Sequence, residues 1–150
     1  MVHRVSVFTV ALLVVISAVA AHAQESEDRA AIRNAALDYI EGWYTGDATR
    51  MERAVHPELA KRMVRTIPGG RGSILDQQSA MTLVQGTRTG SGKQTPEARR
   101  LRDVTILDVY ENAASVKIVA ADWIDYLHLA RWNGSWRIVN VLWELKPQNK

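Results

Sequence analysis

The sequence predicts an α+β domain in which helices come first and a mostly antiparallel sheet follows. Apolar residues recur at three- and four-residue steps from Ile32 to Trp43, which places them on one face of an amphipathic helix. After the middle of the chain the period changes to extended, and three runs are rich in β-branched, leucine and aromatic residues: Val104 to Tyr110, Ala114 to Arg131 and Trp136 to Leu145. Helices followed by a run of strands are typical of the α+β class.

The N-terminal residues predict a signal peptide that is cleaved after Ala23. His3 and Arg4 precede an uncharged run from Val5 to Ala20, and small residues at positions 21 and 23 fit the cleavage pattern of secreted proteins. The alternative is a membrane anchor, since this run approaches the lower limit of a span, about 17 residues. The polar residues directly after Ala23 favour cleavage. We therefore expect a periplasmic or secreted protein that is not held in the membrane after cleavage.

Composition bounds the part that would remain, residues 24–150. The chain has no cysteine, so neither a lipid anchor on cysteine nor a disulfide is available. Removing 23 of 150 residues leaves 127, enough for one domain with its own core. Loss of Arg4 leaves 18 basic residues against 16 acidic ones, too balanced to indicate nucleic acid. The histidines and acids show no metal-ligand spacing, and no phosphate loop or other cofactor motif is present.

Local signals set the helix boundaries. Gly46 is a natural end for the first helix, and Asp47 can cap a second helix over about 48–55. Pro57 suits the first turn of another short helix, which we predict through Met63. Further along the chain we predict a loop over 67–72, a helix over 80–85 capped by Ser79, and a glycine-rich loop over 86–97.

Asn133 and Gly134 between two strand-like runs predict a hairpin with a two-residue type I′ turn. That turn places three cross-strand pairs on one face of the sheet: His128 with Val139, Tyr126 with Val141, and Ile124 with Trp143. The other face would carry Asp125 and Asn140 as hydrogen-bond partners at an interface, among apolar neighbours. Both faces are mostly apolar, so we expect helices to cover one and a second subunit the other. A bulge in the long strand would exchange the two faces.

Two stretches carry a family resemblance. The segment from Asp38 to Asp47 reads DYIEGWYTGD and is followed by HPEL at 56–59; the segment from Asp122 to Leu129 reads DWIDYLHL and is followed by NGSWRIVNVLW at 133–143. They resemble the "putative lumazine-binding" group of the nuclear transport factor 2-like (NTF2-like) superfamily over nearly the whole mature chain. The resemblance implies a cone, in which a strongly curved sheet wraps around the helices, with a pocket at its open end and dimerisation through the outer face. The fold hosts many activities, so the group's label does not establish lumazine as the ligand.

Ketosteroid isomerases of the same superfamily allow a mechanistic comparison. The resemblance places Tyr39 where their tyrosine donates to the enolate oxygen, and Trp143 where they have a pocket tryptophan. The position of their general base falls on Arg62, or on Lys61. Because a cation cannot abstract a proton from carbon, we do not expect isomerase chemistry of that kind.

The candidate site therefore combines aromatic and polar side chains. The predicted ligand-binding residues are Tyr39, Trp43, Tyr126, His128, Val141 and Trp143, with Arg62 either a solvated residue or an anchor for an anion. The catalytic candidates are His128, Asp122 and Tyr39, although a structural, hydrogen-bonded role is commoner for a histidine such as His128. Asp122, Tyr126 and His128 would form a polar site resembling that of scytalone dehydratase, which needs a further histidine; the mature chain offers His56.

We expect an exported NTF2-like homodimer that binds a small organic molecule in an aromatic-lined pocket; the sequence favours binding without catalysis and leaves catalysis open. One alternative is a cofactor-free isomerase, dehydratase or cyclase of the SnoaL or scytalone-dehydratase type. The other is a non-enzymatic interaction module whose cone is filled by its own side chains. The contents of the cavity discriminate among the three.

Overall fold

The structure, a computed structural model, describes residues 5–70 and 72–147, with side chains from residue 23 onward. Residues 1–30 and 31–150 form two compact units. The first helix, α1 (Val5–Thr45), begins in the first unit and ends in the second. The charged start of the predicted signal peptide and the side chains of its apolar run lie outside the described residues, so that interpretation stays a prediction. Among the residues that were described, no helix is both long and apolar enough to cross a membrane.

The helices of the second unit begin and end largely where the sequence predicts. Gly46, at φ +73°, follows the last residue of α1. The Asp47 side chain then accepts a hydrogen bond from the Arg50 N–H at 3.0 Å and caps α2 (Ala48–Ala54). Ser79 caps α3 (Ala80–Arg88), which is longer than predicted. The predicted loop over 86–97 is partly wrong, because it contains the end of α3 and two short 3-10 turns, Ser91–Gln94 and Glu97–Arg99.

Within the described residues, six strands form one sheet in the order β2-β1-β6-β5-β4-β3. All neighbours are antiparallel except β1 and β6, which run parallel. The strands are β1 (Val55–Thr66), β2 (Ser73–Ser79), β3 (Asp103–Tyr110), β4 (Ala113–Val119), β5 (Trp123–Trp132) and β6 (Ser135–Leu145).

Two strands correct the sequence predictions. The helix predicted from Pro57 to Met63 is wrong, because this segment belongs to β1. The pairing of β1 with β6 is irregular between Val55 and Ala60, and this interruption accommodates Pro57, which has no N–H to give to a ladder. The run from Ala114 to Arg131 is two strands rather than one, and the polar edge strand β2 was not predicted.

The hairpin turn is confirmed, but its register is not. Asn133 and Gly134 have φ of 49° and 76°, both positive as a type I′ turn requires. Leu129 pairs with Ile138 as expected, whereas His128 pairs with Asn140, so Val139 is an extra residue in β6. Beyond this bulge every pair differs from the predicted one: Tyr126 lies opposite Leu142, Asp125 opposite Trp143 and Ile124 opposite Glu144.

The bulge decides which side chains face the helices. Asp125, Leu127 and Leu129 are buried on the inner face of β5, whereas Tyr126 and His128 are exposed on the outer face. The predicted α1 stripe is confirmed in Ile32, Ala36, Tyr39 and Ile40, all at most 2% exposed. Together with the inner residues of β4, β5 and β6 they form the core, in which each large apolar side chain contributes about 1.5–3 kcal/mol by leaving water.

Candidate functional site

Four polar side chains meet beneath α1 and form what we call the inner cluster: Tyr39, Lys61, Trp123 and Asp125. The Lys61 ammonium donates to the Tyr39 hydroxyl at 2.6 Å and to Asp125 Oδ1 at 3.0 Å. Trp123 Nε1 donates to Asp125 Oδ2 at 2.7 Å. The Lys61 side chain is 9% exposed and that of Asp125 is 0% exposed, so the cluster contains a buried ion pair.

Tyr39 reaches the cluster from α1, and the other three members reach it because side chains alternate along β1 and β5. Leu59, Lys61 and Met63 take every second position of β1 and face the core, where Lys61 meets the inner face of β5. A buried charge is stabilised only when it is paired and hydrogen-bonded, and Asp125 meets this condition through bonds to both of its oxygens.

The proton of the Tyr39 hydroxyl is directed at Asp125. Because this hydroxyl oxygen accepts from Lys61, its own proton goes to Asp125 Oδ1, 3.4 Å away. Burial, followed by the negative charge of Asp125 and the hydrogen bond to it, raises the pKa of Tyr39 well above the usual value of 10.0. Tyr39 therefore stays protonated at neutral pH.

A cavity of about 110 Å³ adjoins the inner cluster. Aromatic rings dominate its lining, and the Lys61 ammonium lies 4.8 Å from the centre of the Trp143 ring, close enough for a cation–π contact. Gln78 is an exposed lining residue, so the cavity reaches the protein surface at this side chain. The lining residues are Tyr39, Ile40, Trp43, Lys61, Gln78, Leu83, Trp123 and Trp143.

A larger groove of about 480 Å³ lies between α2, α3 and the start of β1. Its polar side chains are at the surface, where Arg88 and Glu52 form an ion pair at 3.0 Å with both side chains more than half exposed. Val55, Ala80 and Val84 give it an apolar base. With no buried polar group directed into it, this groove lacks the convergent polar atoms of a small-molecule site, and the smaller cavity is the better candidate.

The structure brings only part of the predicted site together. Tyr39, Trp43 and Trp143 line the cavity. Val141 is fully buried in the adjacent core without lining it. The predicted inward orientation of Tyr126 and His128 is wrong, because the bulge at Val139 places both on the outer face.

Arg62 also lies on the outer face, in a row of hydrogen bonds that we call the outer ladder (Gln77, Arg62, Asn140 and His128). Arg62 donates to Gln77 Oε1 at 2.8 Å and to Asn140 Oδ1 at 2.9 Å. Since Asn140 Oδ1 is thus occupied, its Nδ2 faces His128 Nδ1 at 3.3 Å, and this ring nitrogen is the acceptor. The His128 proton is then on Nε2. The predicted hydrogen bond between Asn140 and Asp125 is therefore wrong, because Asn140 bonds within the outer ladder and Asp125 within the inner cluster.

The three catalytic candidates do not converge. Tyr39 is in the inner cluster and His128 is on the opposite face of the sheet. Asp122 precedes β5 and its carboxylate pairs with Arg99. Within the described residues, no group of three or more histidine and acidic side chains could hold a metal ion.

Sequence reasoning missed Lys61 and Asp125 as partners. One signal was available in the sequence: Asp125 alternates along the strand in step with Trp123, Leu127 and Leu129, so all four side chains share one face. A lone acid among apolar residues on one strand face requires a buried partner. The β1 segment that supplies this partner was assigned to a helix, so Lys61 was considered only at the position of the isomerases' general base and not as a partner of Asp125.

Comparison with known families identifies the domain. The family described as "Putative lumazine-binding" matches residues 27–144. The chain belongs to this family. A search of curated proteins gives no match.

Several solved structures similar to the chain are described as NTF2-like proteins. One, of unknown function, from Silicibacter pomeroyi, is 20% identical with a TM-score of 0.60, over 81% of this chain and 98% of that one. Another, from Novosphingobium aromaticivorans and described as having a cystatin-like fold, is 15% identical with a TM-score of 0.62, over 87% and 90% of the two chains. A hexachlorocyclohexane dehydrochlorinase is 11% identical with a TM-score of 0.51, over 82% and 88%. At these identities the likeness establishes the NTF2-like fold alone, which confirms the predicted fold class.

Proposed function

We propose that this protein is an exported small-molecule-binding domain without catalytic activity, and that its ligand occupies the cavity beside the inner cluster. The observation that carries the proposal is the composition of that cavity. Three tryptophans and a tyrosine surround it, and one buried ammonium group is directed at it. Ligand sites have this composition, with apolar and aromatic walls and a few fixed polar groups.

The size of the cavity limits the ligand. A volume of about 110 Å³ is well below the roughly 300 Å³ at which pockets for drug-sized ligands begin. The space is nevertheless open, which supports binding over the alternative of a cone filled by its own side chains. The family's description mentions lumazine, and this supports a small heteroaromatic ligand without defining it.

The bonding of the acidic groups argues against the enzyme alternative. A general base needs a free lone pair within reach of the substrate proton. Asp125 already accepts from Lys61, Tyr39 and Trp123, and Asp122 is engaged by Arg99. Neither acid lines the cavity, and among the described residues no other carboxylate does. An isomerase, dehydratase or cyclase would have to break the inner cluster before abstracting a proton.

Indole N–H signals in NMR spectra test the proposal directly. Trp43, Trp123 and Trp143 line the cavity, whereas Trp132 is on the hairpin end and is 47% exposed. Titration with a panel of small heteroaromatic compounds should include at least one that shifts the three cavity signals and leaves the Trp132 signal in place. Native mass spectrometry of protein purified from the host's envelope should show a retained small molecule.

A cavity-filling variant provides the matched control. Leu83→Phe adds volume to a 3% exposed side chain that lines the cavity, and should abolish the shifts. Met81→Phe changes the same helix at a 77% exposed side chain outside the cavity, and should not. Binding that survives Leu83→Phe would contradict the assignment of the ligand to this cavity.

A homodimer through the outer face is part of the proposal. Val64, Leu75, Tyr126 and Leu142 are 44–57% exposed on strands β1, β2, β5 and β6, an apolar surface around the outer ladder. Leu142→Arg should convert the dimer to a monomer in sedimentation experiments, while Met81→Arg on α3 should not. A wild-type protein that is monomeric at all concentrations would contradict the proposed homodimer.

Export is supported by the position of the family match, which begins at residue 27, just after the predicted cleavage site. N-terminal sequencing of the protein from its host should begin at Gln24, and the protein should be in the periplasmic or extracellular fraction. An N-terminus that retains the apolar run would contradict cleavage.

A further inference from the structure

We propose that the cavity takes an uncharged, single-ring ligand bearing a carbonyl oxygen, and that Lys61 rather than Tyr39 is the donor to that oxygen. The inference rests on the proposed function, in that the cavity is assumed to be the binding site. It adds the charge, the size and the hydrogen-bonding partner of the ligand.

The donor count at Lys61 leaves one N–H for a ligand. An ammonium group has three N–H donors. Two are used, by the Tyr39 hydroxyl at 2.6 Å and by Asp125 Oδ1 at 3.0 Å. In the described part of the chain the remaining neighbours of the ammonium are aromatic rings, those of Trp143 and Tyr39, whose centres lie 4.8 and 5.3 Å away. Because the side chain is 9% exposed and lines the cavity, a ligand oxygen is the acceptor that would complete its bonding.

Tyr39 is excluded as the donor by its own bonds. Its single proton goes to Asp125, and its oxygen accepts from Lys61. To donate to a ligand, the hydroxyl would have to leave a fully buried carboxylate with one bond fewer. Lys61 donates to a ligand without breaking any bond in the inner cluster.

The charge balance favours an uncharged acceptor. Lys61 and Asp125 neutralise each other, so the buried site has no surplus positive charge. A bound carboxylate would lose its hydration and would lie beside Asp125, a second buried negative charge. A carbonyl oxygen accepts the same hydrogen bond at a much lower desolvation cost.

The volume favours a single ring. An apolar cavity of about 150 Å³ in another protein holds one benzene molecule. At about 110 Å³ this cavity has no room for a second fused ring. The aromatic walls would contact both faces of a planar ring, and the exposed Gln78 amide at the mouth could meet a polar edge.

Four probes separate these properties by isothermal titration calorimetry on the purified full domain. The probes are 2-pyridone (one ring, uncharged, carbonyl), benzoate (one ring, anionic), toluene (one ring, no acceptor) and lumazine (two rings, carbonyls). We expect 2-pyridone to bind at least tenfold more tightly than each of the others, as one hydrogen bond to a charged donor provides.

Variants then identify the donor. Lys61→Met with Asp125→Asn removes both charges together and keeps an acceptor for Trp123, and should reduce the preference for 2-pyridone over toluene to about threefold or less. Arg62→Met alters the adjacent cation on the outer face and should leave the preference unchanged. Tyr39→Phe alters the cavity wall and is expected to change the affinity for every probe, but the preference for 2-pyridone over toluene should remain.

Each outcome decides between the two proposals. Tighter binding of benzoate overturns the charge argument, and equal binding of lumazine overturns the size argument. The assignment of Lys61 as the donor is overturned if the preference for 2-pyridone over toluene survives the Lys61→Met, Asp125→Asn double variant, or if it disappears in Tyr39→Phe. If the double variant does not fold, the Tyr39→Phe result alone tests the assignment. Should toluene and benzoate bind as well as 2-pyridone, the inference fails and the proposed function stands. If no probe perturbs the cavity tryptophans, the proposed function itself fails.

Discussion

Two adjacent cations on β1, Lys61 and Arg62, have opposite environments. Lys61 faces inward and is buried with Asp125 and Tyr39. Arg62 faces outward and bonds to the neutral amides of Gln77 and Asn140 at a surface open to water. The alternation of a strand thus separates one charge that must be paired from one that need not be.

Lys61 and Arg62 differ in how much free energy is lost when a bonding partner is removed. Water cannot hydrate a buried ion that loses its partner, whereas it can replace the amide partner of a half-buried guanidinium at the surface. The inner cluster should therefore control both stability and ligand choice. The outer ladder should contribute little to either and remain available for a subunit contact.

Removal of the buried counter-ion should have the largest effect. Asp125→Leu leaves the Lys61 ammonium buried without its acid and should lower the free energy of unfolding by about 3–5 kcal/mol. Chemical denaturation measures this. A loss below about 1 kcal/mol would mean that Lys61 reaches water in solution.

The matched double variant sharpens the comparison. Lys61→Met with Asp125→Leu replaces the ion pair by apolar side chains of similar size, which often costs little. It should therefore recover most of the stability lost in Asp125→Leu. No recovery would indicate that Asp125 acts mainly through Trp123 and Tyr39 rather than through the charge of Lys61.

An intermediate effect is expected at Tyr39. Tyr39→Phe removes one acceptor from Lys61 and one donor from Asp125, and should cost about 1–3 kcal/mol near neutral pH. It should also change the alkaline limb of stability. Burial raises the pKa of Tyr39 in the folded state, so the unfolded chain releases this proton first, and stability falls as pH rises above about 10.

Measuring the free energy of unfolding at alkaline pH separates the contribution of Tyr39 from that of the other tyrosines. The pKa of Tyr44 is also raised, mainly by burial, so the wild type should lose stability through both groups. Tyr39→Phe should make the loss shallower by up to about 1.4 kcal/mol per pH unit. An unchanged slope in unfolding experiments between pH 9 and 11.5 would show that Tyr39 ionises in the folded state as readily as in the unfolded chain.

The sequence predicted the fold class and several helix and turn boundaries because the signals for them are local. The α1 stripe, the caps at Asp47 and Ser79 and the turn at Asn133-Gly134 depend on neighbouring residues, and all are confirmed. The site depends on register across strands, which one extra residue changes. Val139 is apolar and resembles its neighbours, so nothing in the composition of β6 marks it as the bulge.

A signal for the correct face was present in β4. Ser115 and Lys117 alternate with the buried residues Ala114, Val116 and Ile118, which identifies its outer face. Ser115 pairs with His128 and Lys117 with Tyr126, so those two residues must also face outward. The inference was not available while β4 and β5 were interpreted as one strand, because the turn at 120–122 has no glycine or proline to mark it.

The smallest effect is expected on the outer ladder. Arg62→Met removes hydrogen bonds from two neutral amides that water can replace, so the free energy of unfolding should fall by at most about 1 kcal/mol. Ligand binding in the cavity should not change, since the side chain is on the other face of the sheet. A loss comparable to that of Asp125→Leu would mean that a partner subunit excludes water from the outer ladder, and it would then depend on protein concentration. Denaturation at two concentrations therefore separates a solvated ladder from one that is buried in a dimer.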